Sequence, residues 1–295
     1  MKLIKPSFEI WNQPTGLEGV YKQIEKVGRV CYKSEDKITE DSAKSFVDRM
    51  IASGHGAMLE HGTVYLRYTP KDNKPLWTDK NDLESAKMWA FYSINPYSRA
   101  DENGENIYIT TNYRVLQECN RLNDLKYLCE PTEYHERRVT VHFVCDRGVS
   151  HEFVRHRVMS FAQESTRYCN YSKDKFGNEI TFIKPCFLDD SKLALYGPYH
   201  TVIRDKSPES IFIASLNNAE KDYIDLIDLG WKPQEARAVL PNALKTELVM
   251  TGFASDWNHF FDLRARGTTG APHPQAKELA EPLMKEFIAR KYINN

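Results

Sequence analysis

The sequence lacks the cysteine pairs and the long apolar runs that mark several broad classes of protein. Its six cysteines are scattered along 295 residues, and no two of them form a Cys-x-x-Cys pair. This usage indicates reduced thiols, not a disulfide framework or a zinc cage. No stretch approaches the roughly 20 apolar residues that a transmembrane helix needs, and the first residues have no signal-peptide pattern. We therefore expect a cytoplasmic protein with no membrane partner.

An excess of charge of one sign is also absent. The formal net charge is −1 at pH 7, with 40 Lys and Arg against 41 Asp and Glu. Proteins that bind nucleic acid through a broad surface usually carry a strongly basic face. The sequence therefore predicts no nucleic-acid partner, and any site for an anion has to be built from a local cluster of cations.

Several familiar motifs for nucleotide, metal and nucleophile chemistry are missing. The chain has no phosphate-binding loop, no Gly-x-Gly-x-x-Gly turn and no Gly-x-Ser-x-Gly elbow. The segment HEFVRH comes close to the zinc motif His-Glu-x-x-His, but His156 lies five residues after His151 instead of four. On a helix, five residues separate two side chains by roughly 140°, so the rings could not share an ion. We therefore predict no metal site.

The chain does contain both helical and strand patterns, which together predict an α+β fold. We predict a helix-rich single domain over residues 1–295, built around a modest antiparallel sheet. Helices are predicted at residues 38–56, 207–230, 232–241, 255–266 and 273–292. Thr39 is the expected cap of the first helix and Gly54 its expected end. The last helix is expected to be kinked or broken near Pro282.

Two predicted strands, at residues 63–69 and 137–146, are interpreted as the arms of a hairpin. About 70 residues separate them, far more than a hairpin loop needs. We interpret residues 69–137 as an insertion between the two strands, with a helix of its own at residues 81–94. A peripheral structural role is the favoured interpretation of this insertion, and contact of Asn112 or Arg114 with a ligand is the alternative.

The most unusual segment is EFVRHRVMSFAQESTRY, at residues 152–168, which concentrates arginines among apolar residues. Arg155, Arg157 and Arg167 carry planar guanidinium groups that match phosphate oxygens. If SHEFVRHR is helical, Arg155, His156 and Arg157 point three ways and can touch several ligands. A solvated basic helix is the alternative. Because burying unpaired arginines is costly, an anionic ligand is the favoured interpretation.

The segment RHRVMSFAQES consists of Arg-His-Arg, seven residues and a serine, and it resembles the signature of flavin-dependent thymidylate synthases. Other segments resemble further motifs of that family in the same order along the chain. They are GRVCY, GHGAMLEH, ARAVLP, WNHFFDLR and PQAKELAEPL. The resemblance spans about residues 25–285, apart from the insertion.

The resemblance implies the fold of that family and a methyltransferase activity that makes dTMP from dUMP. In such enzymes 5,10-methylenetetrahydrofolate supplies the carbon, and FADH2, recharged by NADPH, supplies the hydride. The implied partners are therefore dUMP and folate, and the implied assembly is a homotetramer with FAD between subunits. A non-catalytic nucleotide- or RNA-binding protein that uses the same arginines is the alternative.

The resemblance also implies a role for individual residues. Arg264 would be catalytic, because its charge can stabilise the negative charge that develops on the uracil ring. The residues implied to bind FAD are His55, Ala57, Arg155, His156, Arg157, Gln163 and His259. The residues implied to bind dUMP are Glu152, Arg155, Gln163, Glu164, Ser165, Thr166, Arg167, Arg237 and Arg264. A carboxylate facing the phosphate would repel it, so we expect Glu164 to point away.

Overall fold

The computed structural model describes residues 1–69, 83–173, 177–189, 191 and 207–294. The helices are α1 (Gly16–Tyr32), α2 (Ser42–Ala52), α3 (Gly56–Leu59), α4 (Leu83–Ile94), α5 (Tyr113–Glu118), α6 (Arg147–Phe153), α7 (Pro208–Asp228), α8 (Pro233–Ala236), α9 (Ala254–Phe261) and α10 (Pro274–Ala289). The strands are β1 (Lys2–Ile4), β2 (Ser7–Trp11), β3 (Thr63–Tyr68), β4 (Arg99–Asn103), β5 (Asn106–Asn112), β6 (Arg138–Asp146), β7 (Ser160–Gln163), β8 (Thr181–Ile183) and β9 (Lys245–Phe253). A π-helical segment, Asp262–Arg266, continues α9.

The centre of the fold is a four-stranded antiparallel sheet with the strand order β2-β6-β9-β7. Its longest pairing joins β6 to β9, from Arg138 opposite Phe253 to Asp146 opposite Lys245. A three-stranded antiparallel sheet, β3-β5-β4, and a parallel pair, β1-β8, accompany it. The predicted α+β fold with a modest antiparallel sheet is confirmed, while the single-domain organisation stays a prediction.

Helices cover both faces of the four-stranded sheet. On one face, helices α6, α9 and α10 contribute to an aromatic core around Phe143 of β6. The ring centroid of Phe143 lies 5.1 Å from that of Phe153 and 6.3 Å from that of Trp257. On the opposite face, Val27 of α1 lies in one apolar cluster with Val249 of β9. Because both faces are covered, β6 and β9 are buried along most of their length.

The predicted hairpin between β3 and β6 is wrong. Strand β3 pairs with β5, which lies inside the insertion, and Thr63 is opposite Asn112. Strand β6 pairs instead with β2 and β9. The physical reason is that Ile107 and Ile109 of β5 are buried in the same apolar cluster as Val64 and Leu66 of β3, so β3 pairs with β5. The predicted helix within the insertion is confirmed as α4, and residues 70–82 lie outside the described part of the chain.

Helix α2 begins later than the sequence pattern predicted. It starts at Ser42, and Asp41 precedes it, so Thr39 as its cap is wrong. The Thr39 amide instead donates to the Ser42 hydroxyl at 2.9 Å, and the one proton of that hydroxyl is shared between the Glu25 carboxylate at 2.7 Å and the Thr39 carbonyl at 3.1 Å. This local pairing holds the preceding residues in a turn. Gly54, at φ +70°, follows the helix as predicted, and a left-handed backbone there favours glycine.

The predicted break near Pro282 does not occur, since α10 continues through it to Ala289. Proline removes one backbone donor, which costs free energy in a helix interior. The helix also buries an apolar stripe that includes Leu279, Leu283 and Phe287 in the aromatic core. Tertiary packing of this stripe outweighs the lost hydrogen bond.

Helix α7 follows its predicted start and stop signals. The Ser207 hydroxyl accepts a hydrogen bond from the Ser210 amide at 3.1 Å, and Gly230 lies just beyond the end at φ +95°. Its buried residues pack with a small third core near β8. Neither α7 nor any other helix in the described ranges combines the length and the apolar character needed to cross a membrane.

We expect Phe143→Ala to lower the free energy of unfolding by about 3–5 kcal/mol, because it leaves a cavity in the aromatic core. Urea denaturation monitored by circular dichroism would measure this loss. Ile94→Ala serves as the control, since this side chain is 82% exposed and its loss should cost less than about 0.5 kcal/mol. Equal losses in the two variants would contradict the assignment of the core.

Candidate active site

The end of helix α6 determines where the arginine-rich segment lies. Asp146 caps the helix, since its Oδ1 accepts a hydrogen bond from the Val149 amide at 2.7 Å. The helix ends at Phe153, whose buried ring contacts that of Phe260 at 4.9 Å between centroids. Residues 155–157 therefore lie beyond the helix, and the predicted helical continuation through them is wrong.

The three residues of the Arg-His-Arg sequence nevertheless point in different directions. His156 is buried, with 4% of its surface exposed, whereas Arg155 and Arg157 are exposed. Arg167 is exposed as well. Water can solvate these three guanidinium groups in the single chain, so the argument that buried arginines require an anion does not apply to them. All three guanidinium groups are exposed and can therefore still bind a ligand.

Arg264 is held in place by three hydrogen bonds from its guanidinium group. Its Nη1 donates to the Glu152 carboxylate at 2.5 Å, and its Nη2 donates to the Glu152 backbone carbonyl at 3.0 Å. Its Nε donates to Nε2 of His156 at 3.1 Å. Arg264 lies in the π-helical segment, 112 residues after Glu152 along the chain. The fold therefore unites three residues that the sequence analysis assigned to one site.

His156 is uncharged in this arrangement. Burial, together with the neighbouring Arg264 and His259, lowers the pKa of His156 to about 4. Because Nε2 accepts the hydrogen bond from Arg264, the ring proton belongs on Nδ1. The exposed ring of His259 lies 6.1 Å from that of His156 between centroids, and Phe260 packs at 4.9 Å. The cation at this point is therefore Arg264, which is paired with the Glu152 carboxylate.

Several other predicted residues line a cleft of about 570 Å³. The cleft lies between the end of α1, the segment at residues 54–58, strand β7 and the turn that follows it. Its lining residues are Cys31, Tyr32, Gly54, His55, Gly56, Ala57, Met58, Arg114, Phe161, Ala162, Gln163, Ser165 and Tyr168. The structure thus unites His55 and Ala57 with Gln163 and Ser165, which come from a distant part of the sequence.

The chemistry of this cleft fits a flavin nucleotide. Tyr32 and Tyr168 offer aromatic surfaces, with their ring centroids 5.6 Å apart, and the Tyr32 hydroxyl lies 3.2 Å from Nδ1 of His55. Nε2 of Gln163 donates to the hydroxyls of Ser150 and Thr246, so its carbonyl oxygen is available as an acceptor. Volumes of roughly 300–1,000 Å³ with a few oriented polar groups are typical of ligand sites.

The turn after β7 carries the residues predicted to hold a phosphate. The Ser165 carbonyl accepts hydrogen bonds from the Tyr168 and Cys169 amides, which closes the turn. The buried Thr166 hydroxyl accepts a hydrogen bond from Nη1 of Arg237 at 3.0 Å, although 71 residues separate the two. Since that oxygen accepts from Arg237, its own proton is free to be donated to another group.

Glu164 points into the protein, as expected. Its surface is only 2% exposed, and its Oε2 accepts a hydrogen bond from Nζ of Lys245 at 2.9 Å. The Tyr171 hydroxyl donates to Oε1 at 3.1 Å. The carboxylate is therefore directed away from the outer surface of the turn, and a cation compensates its charge.

The predicted residues thus form three groups of contacts. Arg264, Glu152, His156 and His259 form the first group, the cleft residues form the second, and Thr166 with Arg237 forms the third. Among the described residues, the hydrogen bonds of Arg264 go to the first group and none reaches the cleft. Gln163, at the end of β7, and Ser165, in the turn that follows, connect the cleft in sequence to Thr166 of the third group.

Apart from His55, Ala57, Gln163 and Ser165, the residues that line the cleft were not predicted as site residues. Of these, Arg114 was named only in the alternative interpretation of the insertion. Its Nη1 donates to Glu60 at 2.5 Å and its Nε donates to Glu118 at 2.8 Å. A Cβ atom on Gly56 would lie 3.0 Å from Nε of Arg114, so the arginine side chain packs directly against that glycine. The structure places Arg114 at the cleft, and the role of the insertion stays a prediction. The available signal was Asn112, the last residue of β5, whose side chain caps α5.

Comparison with known proteins relates this chain to one protein family. Residues 131–290, more than half of the chain, match the sequence model of the family described as thymidylate synthase complementing protein. The flavin-dependent thymidylate synthase of Geobacter sulfurreducens is 30% identical over 118 residues, which cover 40% of this chain and 43% of that protein. The corresponding protein of Pyrococcus furiosus is 31% identical over 149 residues, covering 50% and 53%. The chain thus spans about half the length of the curated relatives it matches.

Among solved structures, the chain is similar to a UMP/dUMP methylase, PolB, from Streptomyces cacaoi bound with 5-Br dUMP. The two share 18% sequence identity, and the TM-score is 0.43. The alignment covers 98% of this chain and 93% of the other.

We expect His156 to titrate near pH 4 in the folded protein, which nitrogen-15 NMR of the imidazole would measure. The unfolded chain takes up this proton near pH 6.5, so the contribution of His156 to stability is lost as the pH falls from 6.5 towards 4. Arg264→Met should raise the pKa, because it removes both a nearby cation and the donor to Nε2. An unchanged titration in that variant would contradict the proposed contact.

Proposed function

The chain belongs to the thymidylate synthase complementing protein family, and from this premise we propose that it is a flavin-dependent thymidylate synthase. In this proposal it is a methyltransferase that converts dUMP to dTMP. The observation that carries the proposal is the arrangement of Arg264, a permanent cation fixed between Glu152 and an uncharged His156. A protonated His156 would compete with Arg264 for an electron-rich group of a ligand, whereas the uncharged ring of His156 does not.

Arg264 is the proposed catalytic residue. A uracil ring reacts at C5 or C6 only when its N3–C4 edge is polarised, and a guanidinium group cannot lose its charge near neutral pH. Of the five N–H donors of a guanidinium group, three are used by Glu152 and His156 among the described residues. The remaining two can bind the substrate carbonyl and stabilise the negative charge that develops there.

The turn at residues 165–167 and Arg237 form the proposed phosphate site for dUMP. Thr166 can donate its hydroxyl proton to a phosphate oxygen while Arg237 fixes the orientation of that hydroxyl. Arg167 is exposed at the same turn and adds a guanidinium fork for a dianion. Ser165 contributes a further hydroxyl at the edge of the cleft. We also assign Glu152 and Arg155 to the dUMP side of the site.

The proposed cofactor is FAD, which supplies the hydride chemistry when it is bound and reduced. The residues proposed to hold it are His55, Ala57, Arg155, His156, Arg157, Gln163 and His259. In this proposal NADPH is the reductant and 5,10-methylenetetrahydrofolate the carbon donor. We further propose a homotetramer, because several of these residues are exposed in the single chain and a cofactor between subunits would cover them.

Arg264→Ala should abolish dTMP formation while FAD remains bound. We expect a loss of turnover of about 100-fold or more, the size reported for removal of an electrostatic stabiliser. Tritium release from labelled dUMP would measure turnover, and the visible flavin absorbance of the purified protein would measure FAD.

Arg266→Ala is the matched control, since this exposed arginine bonds to Asn258 and Asp262 in the same π-helical segment. We expect this variant to keep most of the activity. Two results would overturn the proposal. The first is a wild-type protein that shows no flavin absorbance after FAD is added. The second is full turnover by Arg264→Ala.

A further inference from the structure

A row of four alternating charges lies beneath the turn that follows β7. Nζ of Lys33 lies 2.7 Å from Oε1 of Glu247, and Nζ of Lys245 lies 2.9 Å from Oε2 of Glu164. Lys245 also pairs with Glu247, so the row runs Lys33, Glu247, Lys245, Glu164. At the outer end of the row, Nζ of Lys33 also lies 2.9 Å from Oε1 of Glu35, a more exposed carboxylate. His142 on β6 lies at the edge of the row, with Nε2 2.9 Å from Glu247.

Glu164 is the most buried member of this row and depends on Lys245. Its side chain is almost fully enclosed, and a carboxylate without a compensating cation is very costly to bury. The Tyr171 hydroxyl donates one hydrogen bond to it, but this group carries no charge that could balance the carboxylate. Lys33 lies farther along the row, beyond Glu247. Lys245 is therefore the cation that balances Glu164 directly.

Backbone hydrogen bonds connect the same row to the turn. The Glu164 amide donates to the Glu247 carbonyl at 2.8 Å, and the Ser165 amide donates to the Cys31 carbonyl at 3.0 Å. Lys33 follows Cys31 at the end of α1, so side chains and backbone join the same three segments. These are the end of α1, the start of β9 and the first residues of the turn.

We propose that Lys245 is a positioning residue for the phosphate of the nucleotide substrate. By holding the Glu164 carboxylate inside the protein, it keeps that negative charge away from the donors of residues 165–167. Without Lys245, the carboxylate would move towards water and towards these same donors, where it would compete with a phosphate dianion. This inference rests on the proposed function for the identity of the nucleotide, dUMP, and on the contacts above for the role of the lysine.

A double-mutant cycle on the full chain loaded with FAD tests this role. Isothermal titration calorimetry would measure dUMP binding to the wild type, Lys245→Met, Glu164→Gln and the double variant. We expect Lys245→Met to weaken dUMP binding about tenfold or more when Glu164 is present, but less than about threefold in the Glu164→Gln background. FAD affinity should change less than about twofold. Lys221→Met removes an exposed lysine of α7 and is the control.

An equal loss from Lys245→Met in both backgrounds would overturn the proposal, because the lysine would then act without Glu164. No loss in either background would overturn it too. If Lys245→Met alone fails to fold, the double variant is compared with Glu164→Gln directly. A tenfold weaker dUMP affinity in the double variant would then overturn the proposal, and a similar affinity would support it.

Hydrogen exchange separates this inference from the proposed function, because it needs no nucleotide. The amides of Tyr168 and Cys169 donate to the Ser165 carbonyl and should exchange slowly in the wild type. We expect faster exchange in Lys245→Met and recovery in the double variant. If the wild type binds FAD but not dUMP, the proposed function fails. Hydrogen exchange at the turn then decides by itself whether Lys245 positions these residues. Unchanged exchange in Lys245→Met would overturn that role.

Discussion

The antiparallel pairing of β6 with β9 is the constraint on which the candidate site depends. The two strands run in opposite directions over their full length, so the segments that follow them leave from opposite ends of the sheet. Helix α6 follows Asp146 at one end, and helix α9 follows Phe253 at the other. Both helices pack on the same aromatic core. Their far ends meet beneath the sheet, which brings Glu152 against Arg264.

The sequence predicted the elements of this fold better than it predicted their partners. The signals that start and end a helix depend on residues close in sequence. The glycine after α2 and both ends of the Ser207 to Gly230 helix were therefore predicted correctly. Strand pairing is long-range, and alternation of apolar residues shows that a strand exists without showing its neighbour. The assignment of β3 to β6 failed for this reason. Helix continuity at Pro282 also depended on tertiary packing, which no local rule describes.

The candidate site shows the same division between local and long-range information. The Arg-His-Arg motif singled out three candidate residues, but it did not reveal that His156 would be buried and its neighbours exposed. That difference arises because α6 ends at Phe153, before the motif begins. The partner of Glu164 could not be predicted either, since Lys245 lies 81 residues away on another strand. Arg114 was given less weight because insertions usually lie outside a site, whereas this arginine lines the cleft and bonds to Glu60.

The close contact between Arg114 and Gly56 links two parts of the chain that could otherwise diverge independently. A Cβ atom at residue 56 would lie 2.7 Å from Oε1 of Glu118 and 3.0 Å from Nε of Arg114. Both atoms belong to flexible side chains that form an ion pair with each other, so a larger residue would have to displace that pair. A substitution at this glycine would therefore act on the inserted segment through a side-chain rearrangement.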